Sequence, residues 1–171
     1  MKRIIVLLIL LATALWVSPK DGMDQDIRME VTRVIDGDTF EGYVLSRGER
    51  TVSARVRVSG IDAPERGQFY GDVATLHLEW LIEGKMVALS VTGRDMYGRM
   101  IATVRLNGFD IAEEMLRQGL AWHFREYDHN LRYAQLESEA RENGRGLWAD
   151  ERAVAPWRWR QMSKFERNAF R

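Results

Sequence analysis

Two short acidic segments carry the residue types best suited to chemistry. Asp36-Gly37-Asp38-Thr39 lies where one apolar alternation ends and another begins, and Asp62-Ala63-Pro64-Glu65 follows the third such run. Asp-Gly is the commonest hairpin signal, so the first segment on its own reads as a chain reversal. In the second, Pro64 fixes its own φ and donates no hydrogen bond, which holds Asp62 and Glu65 in a rigid turn. Such a turn also serves as the approach to a helix N-terminus, where acids are favoured. Brought together, the carboxylates make a hard oxygen site, and calcium suits carboxylates, a backbone carbonyl and water. Arg57, on the polar face of a strand, and Arg99, just after Tyr97-Gly98, are the complementary groups. Each alone reads as a solvated strand arginine. Three acids and two arginines at strand ends nevertheless match what phosphodiester hydrolysis needs. A divalent ion polarises the phosphate, a carboxylate positions water, and guanidinium forks bind the charge that builds on phosphoryl oxygens.

The segments that must position these groups are strands first and helices later. Met29, Val31, Arg33 and Ile35 alternate with Glu30, Thr32 and Val34 before the Asp36-Gly37-Asp38 reversal. Thr39 to Ser46 reads as a second strand, Arg47-Gly48-Glu49 as a turn, and Thr51 to Ile61 as a third strand. In that third strand Val52, Ala54, Val56 and Val58 share one face and Arg55, Arg57 and Ser59 the other. Period 3.6 takes over near Gly71, with Ala74, Leu78, Leu81 and Ile82 on one stripe that Gly84 ends. Lys85–Thr92 and Arg99–Leu106 are strand-like. A second helix turns Ile111, Ala112, Met115 and Leu116 inward and stops at Gly119. A third, over 130–143, aligns Tyr133, Leu136 and Ala140. The reading is α+β, mainly β: a small closed five-stranded barrel with three helices against it, spanning residues 26–150.

Composition narrows the function classes. The 171 residues contain no cysteine, which excludes disulfide scaffolds, thiolate metal sites and thiol nucleophiles. The three histidines (His77, His123, His129) lack helical ligand spacing, against a multi-histidine zinc centre. Lys+Arg and Asp+Glu are equal at 25 each, yet the charge is uneven, with residues 151–171 at +4 and 19–150 at −6. Lys2-Arg3 precede an apolar run from Ile4 to Val17 that Ser18-Pro19-Lys20 closes. That run spans roughly 21 Å as a helix, short of a bilayer core of about 30 Å. Residues 1–20 therefore read as a secretory signal, with Ala12-Thr13-Ala14 as a small-x-small cleavage site, or as an uncleaved anchor attached to the membrane through residues 4–17. Either leaves the rest of the chain outside the cytoplasm, secreted, periplasmic or membrane-anchored. The tail, 151–171, interleaves rings and guanidinium groups in Pro156-Trp157-Arg158-Trp159-Arg160. It reads either as a phosphate-pairing, base-stacking arm, as a lipid-associating one, or as a segment whose Trp rings pack back on the barrel.

At these residues the chain resembles the staphylococcal nuclease family. The resemblance runs through Val34-Ile35-Asp36-Gly37-Asp38-Thr39 and Arg57-Val58-Ser59-Gly60-Ile61-Asp62-Ala63-Pro64-Glu65. It continues through Tyr70-Gly71, Asp95-Met96-Tyr97-Gly98-Arg99 and Arg117-Gln118-Gly119-Leu120-Ala121 to Gly146-Leu147-Trp148, covering about residues 28–150 in the family's order. It implies an OB-type five-stranded barrel with three helices. It also implies calcium-dependent hydrolysis of DNA and RNA at the phosphate–O5′ bond, leaving 3′-phosphate ends. The resemblance makes Asp38 and Asp62 the calcium carboxylates, Ala63 the donor of a backbone carbonyl, and Glu65 the group that activates or orients water. It makes Arg57 and Arg99 the phosphate ligands that stabilise the transition state, with Asp36 and Thr39 in support and Tyr97 and Tyr127 against the nucleotide. A monomer is expected.

Three departures from the family's best-known member touch substrate contacts. Met96 stands where that member has a lysine, Arg125 where it has a second nucleotide-contacting tyrosine, and the Arg66-Gly67-Gln68-Phe69 loop lacks its lysine-rich insertion. Two other classes stay open from sequence: a barrel that binds nucleic acid or protein without cleaving it, and a calcium-binding structural module. The second leaves Arg57 and Arg99 without a role.

Overall fold

A computed structural model describes residues 27–168 and 170. The expected signal or anchor at 1–20 lies outside the described residues. Five strands form the body: β1 (Ile27–Asp36), β2 (Thr39–Ser46), β3 (Glu49–Val58), β5 (Met86–Arg94) and β6 (Met100–Leu106). They pair antiparallel in the order β3-β2-β1-β5-β6, and a parallel pairing of β3 with β6 closes the ring. That closing register joins Val56 to Met100, Arg57 to Ile101 and Val58 to Ala102, so Arg57 sits at the seam. This is a closed five-stranded OB-type barrel. Short β4 (Ile61–Asp62) pairs with β8 (Trp122–His123), and β7 (Phe109–Asp110) extends β6.

Alternation along β1 is not the simple one its sequence suggests. Met29, Val31 and Val34 face the core, whereas Arg33 is exposed and Ile35 only half-buried. A bulge accounts for this, because Val31 opposes Gly42 and Arg33 opposes Glu41, leaving Thr32 as the extra residue. The inserted residue shifts the phase by one and carries Val34 inward. The third strand is also shorter than expected. It ends at Val58, a turn through Gly60 follows, and Ile61–Asp62 pairs elsewhere as β4. Of its expected inward face, Val52 is exposed, while Val56 and Val58 are buried. The outer half of β2–β3 stands clear of the core.

The three expected helices are α1 (Gly71–Ile82), α2 (Ile111–Arg117) and α3 (Leu131–Glu142). Asp110 caps α2, its carboxylate accepting from the Ala112 and Glu113 amides, and Asn130 caps α3 through the Arg132 amide. Leu78 and Ile82 of α1, Met115 and Leu116 of α2, and Tyr133 and Leu136 of α3 join Met29, Phe40, Val56, Leu89 and Val104 in one core. Two further short helices were not expected: α4 (Pro156–Gln161), with Pro156 in its first turn, and α5 (Lys164–Asn168). Among the described residues, no helix is long and apolar enough to cross a membrane.

Candidate active site

The β1–β2 turn brings the first acids to the barrel seam. Asp36 Oδ1 accepts from the Asp38 amide at 3.1 Å, closing the turn on itself. Gly37 is needed there for space, since a Cβ would come within 2.7 Å of the Ala63 Cβ and 2.8 Å of the Ala74 Cβ. The turn thus lies flat against both Ala63 and α1. Asp38 is locked by that proximity: its Oδ2 accepts from the Ala63 amide at 2.7 Å and its Oδ1 from the Thr39 hydroxyl at 2.9 Å.

Arg57 then ties two buried acids together. Its Nη1 lies 2.9 Å from Asp38 Oδ2 and its Nη2 2.8 Å from Asp62 Oδ1. Nη1 also donates to the Ile61 carbonyl at 2.8 Å, so the guanidinium is held by the turn that leads into β4. Asp62 is only 1 % exposed. Burial pushes its carboxyl up from the ordinary range, and the Asp38 charge adds to this, against the pull of its arginine partners. Asp36 is raised to about 7, by burial first and then by the Asp38 charge. Asp38 and Asp62 thus share one guanidinium, with Asp36 beside them.

Glu65 is placed by the loop before α1. Its amide donates to the Gln68 side chain at 3.0 Å and its carbonyl accepts from the Gln68 amide at 2.9 Å. Gly71 lets α1 start against this loop, because a Cβ there would fall 2.1 Å from the Glu65 carbonyl oxygen. Arg99 enters from the start of β6. Asp95 holds it, accepting from Nε at 2.7 Å through Oδ2 and from the Arg99 and Tyr97 amides through Oδ1. Burial opposes ionisation of Asp95, but the hydrogen bonds from Arg99 and Tyr97 outweigh it and keep its carboxyl below the ordinary range. Arg99 Nη1 lies 3.4 Å from the Thr39 hydroxyl, facing the acids.

Asp36, Asp38, Arg57, Asp62, Ala63, Glu65, Tyr97 and Arg99 line a single cleft of about 460 Å³, and Thr39 lies behind it. Tyr127 does not line that cleft. It stands exposed beside a neighbouring hollow of about 600 Å³, shared with Met96, Tyr97, Arg99 and Phe124. Met96 is therefore on the wall of the second hollow. Arg125 turns away from both, donating to Glu137 of α3 at 3.0 Å. Among the described residues, no three acidic or imidazole side chains converge on one point as an all-side-chain metal cage. Asp38 and Asp62 line the cleft together with Ala63.

Sequence reasoning did not find three residues of this region. Gln68 holds the Glu65 loop, Phe124 stands between the two hollows, and Arg160 of α4 reaches into the cleft. Phe124 is packed against Tyr127 at 4.8 Å between ring centroids. Arg160 belongs to the ring-and-guanidinium pattern of the tail, but nothing in that pattern points to Asp62, 98 positions away.

The closed OB-type barrel thus gathers acids and arginines at its seam. Residues 55–150 match the family of staphylococcal nuclease homologues. The chain is 39 % identical over 136 residues to an uncharacterized endonuclease of Escherichia coli O157:H7, covering 79 % of this chain and 86 % of that one. It is 37 % identical over 134 residues to an uncharacterized endonuclease of Haemophilus influenzae, covering 78 % and 73 %. It is 36 % identical over 139 residues to staphylococcal-like nuclease CAN1 of Arabidopsis thaliana, covering 75 % of this chain and 43 % of that longer protein. The chain belongs to the staphylococcal nuclease family.

Proposed function

We propose that this protein is a calcium-dependent nuclease that hydrolyses DNA and RNA at the phosphate–O5′ bond and leaves 3′-phosphate ends. The observation that carries this reading is the Arg57 guanidinium bridging two buried aspartates, at 2.9 and 2.8 Å, in the cleft that also holds Glu65 and Arg99. Asp38 and Asp62 through their carboxylates, and Ala63 through its carbonyl, are the groups to hold the ion. The all-oxygen donor set fits a hard cation. Bound there, calcium supplies Lewis-acid polarisation of a phosphoryl oxygen.

The remaining work falls to the chain's own side chains. Glu65, at the exposed mouth of the cleft, accepts a proton from water as the water oxygen attacks phosphorus, and the O5′ oxygen leaves and takes up a proton from solvent. Arg57 and Arg99 line the cleft where the non-bridging oxygens would lie, and their positive charge counts for more as negative charge builds in the pentacoordinate transition state. Thr39 fixes Asp38, and Asp36 closes the turn that carries it. Tyr97, Tyr127 and Phe124 offer ring faces on which bases stack regardless of the sugar, which supports activity on both DNA and RNA.

Incubating a 5′-labelled oligonucleotide with the full-length protein tests this reading. Cleavage in calcium, its loss in chelator and product ends sensitive to a 3′-phosphatase are expected. Products bearing 3′-hydroxyl ends, or cleavage indifferent to chelator, contradict it. Residues 1–20 act in this reading as a signal or membrane anchor that delivers a monomeric nuclease outside the cytoplasm. N-terminal sequencing of the soluble and membrane fractions distinguishes a cleaved signal from a retained anchor.

A further inference from the structure

The segment 152–160 is seated on the barrel. Pro156 and Trp159 of α4 are buried. The Trp157 ring stacks on Phe124, 5.6 Å between centroids and 12° from parallel. Gln68, from the loop that places Glu65, donates its side-chain amide to the Val154 carbonyl. The Arg152 guanidinium lies 4.7 Å over the Phe69 ring, and Arg167 Nε donates to the Trp159 carbonyl at 3.0 Å. A six-residue helix has little stability of its own, so these contacts are what hold it.

This seating aims Arg160 into the cleft. Its Nη2 lies 2.9 Å from Asp62 Oδ2, and its Nη1 lies 3.3 Å from Asp62 Oδ1 and 2.8 Å from Glu65 Oε1. Asp62 therefore serves two guanidinium groups, Arg57 on one oxygen and Arg160 on both. The two arginines are not equivalent. Arg57 is 14 % exposed, belongs to a barrel strand and is bound to the backbone at Ile61. Arg160 is 46 % exposed on a short surface helix and can swing into water without disturbing the barrel. A calcium ion binds carboxylate oxygen at about 2.3–2.6 Å. Such an ion on Asp62 meets the Arg160 guanidinium at the same oxygens, at a separation where like charges repel strongly.

We propose that Arg160 is a built-in counter-cation of the active site, which competes with the divalent ion for Asp62 and is displaced from it when the ion binds. The proposal rests on the reading of Asp38 and Asp62 as ion-binding carboxylates. Arg160 neutralises Asp62 and Glu65 in the ion-free protein, and its release also frees the Glu65 carboxylate that it holds. Ion loading and release of the α4 side chain are thus one event.

Calorimetric titration of calcium into full-length, chelator-stripped protein and its Arg160→Gln variant tests this, with no substrate present. Glutamine keeps length and polarity but removes the charge, and calcium binding is expected to tighten by about tenfold or more. In melting curves the variant is expected to be less stable than the parent in chelator and to gain more from saturating calcium. Equal or weaker calcium affinity in the variant overturns the proposal while leaving the ion site in place. Failure of both proteins to bind calcium overturns the ion-site reading and the proposal together.

Discussion

At the residue scale, Arg57 determines whether the acids can coexist. Its fork spans Asp38 and Asp62, each nearly sealed from water, and a lysine ammonium cannot reproduce both bonds in their plane. Arg57→Lys is expected to lower kcat/KM on single-stranded DNA by about 10²-fold or more. It should also destabilise the fold by roughly 3 kcal/mol, because buried carboxylates lose a partner. Kinetics and chemical denaturation of the same preparation read both effects. Asp36 makes a second prediction. Its carboxyl rises to about 7 in the folded chain from an ordinary 3.8, so folding favours the protonated form. Stability from this group is present at low pH and falls as pH climbs from about 4 through about 7, then stays flat. Asp36→Asn keeps the oxygen that accepts from the Asp38 amide, so it should be more stable than the parent above pH 7 by on the order of 2 kcal/mol in chelator. That advantage should fade toward pH 4, which melting curves across the range would reveal; a constant difference contradicts the assignment. The acids and Arg57 were legible in the sequence because turn chemistry and strand alternation keep them close along the chain, and Arg99 through the family resemblance around Tyr97-Gly98-Arg99. Arg160 was not legible, because only tertiary docking of a distant helix brings it to Asp62.

At the scale of elements, the site depends on how closely the β1–β2 turn approaches its neighbours. Gly37 packs against Ala63 and Ala74 with no room for a methyl group. Gly37→Ala should push the turn outward and stretch the bond between the Ala63 amide and Asp38. A loss of roughly 1–3 kcal/mol in stability is expected, with a larger fractional loss of calcium affinity than of nucleic-acid affinity. Retention of both contradicts the packing argument. The strand meander and the first three helices follow from periodicity and glycine stops, and were readable; the caps at Asp110 and Asn130 were not singled out. The phase of β1 was not, since a bulge at Thr32 inserts one residue that no local pattern announces. Nor was α4, whose six residues are too few to show a helical period and whose stability comes from Trp159 and the Trp157–Phe124 stack.

At the scale of the whole molecule, the seam where β3 meets β6 gathers the reacting groups. Arg57 comes from one side of that seam, Arg99 precedes the strand on the other, and the β1–β2 turn, β4 and the loop before α1 supply the acids. Residues 19–150 carry −6 and residues 151–171 carry +4. Part of their charge is satisfied within the fold, through the Arg160 contacts with Asp62 and Glu65 and the pairing of Arg152 with Asp150. That tempers the reading of this tail as a free arm for nucleic acid and favours the packed alternative. The central claim, that this seam hydrolyses phosphodiester bonds with Glu65 acting on water, is tested most directly by one comparison. The full-length protein and its Glu65→Ala variant would be timed on single-stranded DNA in saturating calcium, with binding followed in parallel. The account predicts cleavage by the parent, a rate reduced by about 10²-fold or more in the variant, and binding retained by both. Equal rates in the two proteins, or binding without cleavage by either, would contradict it.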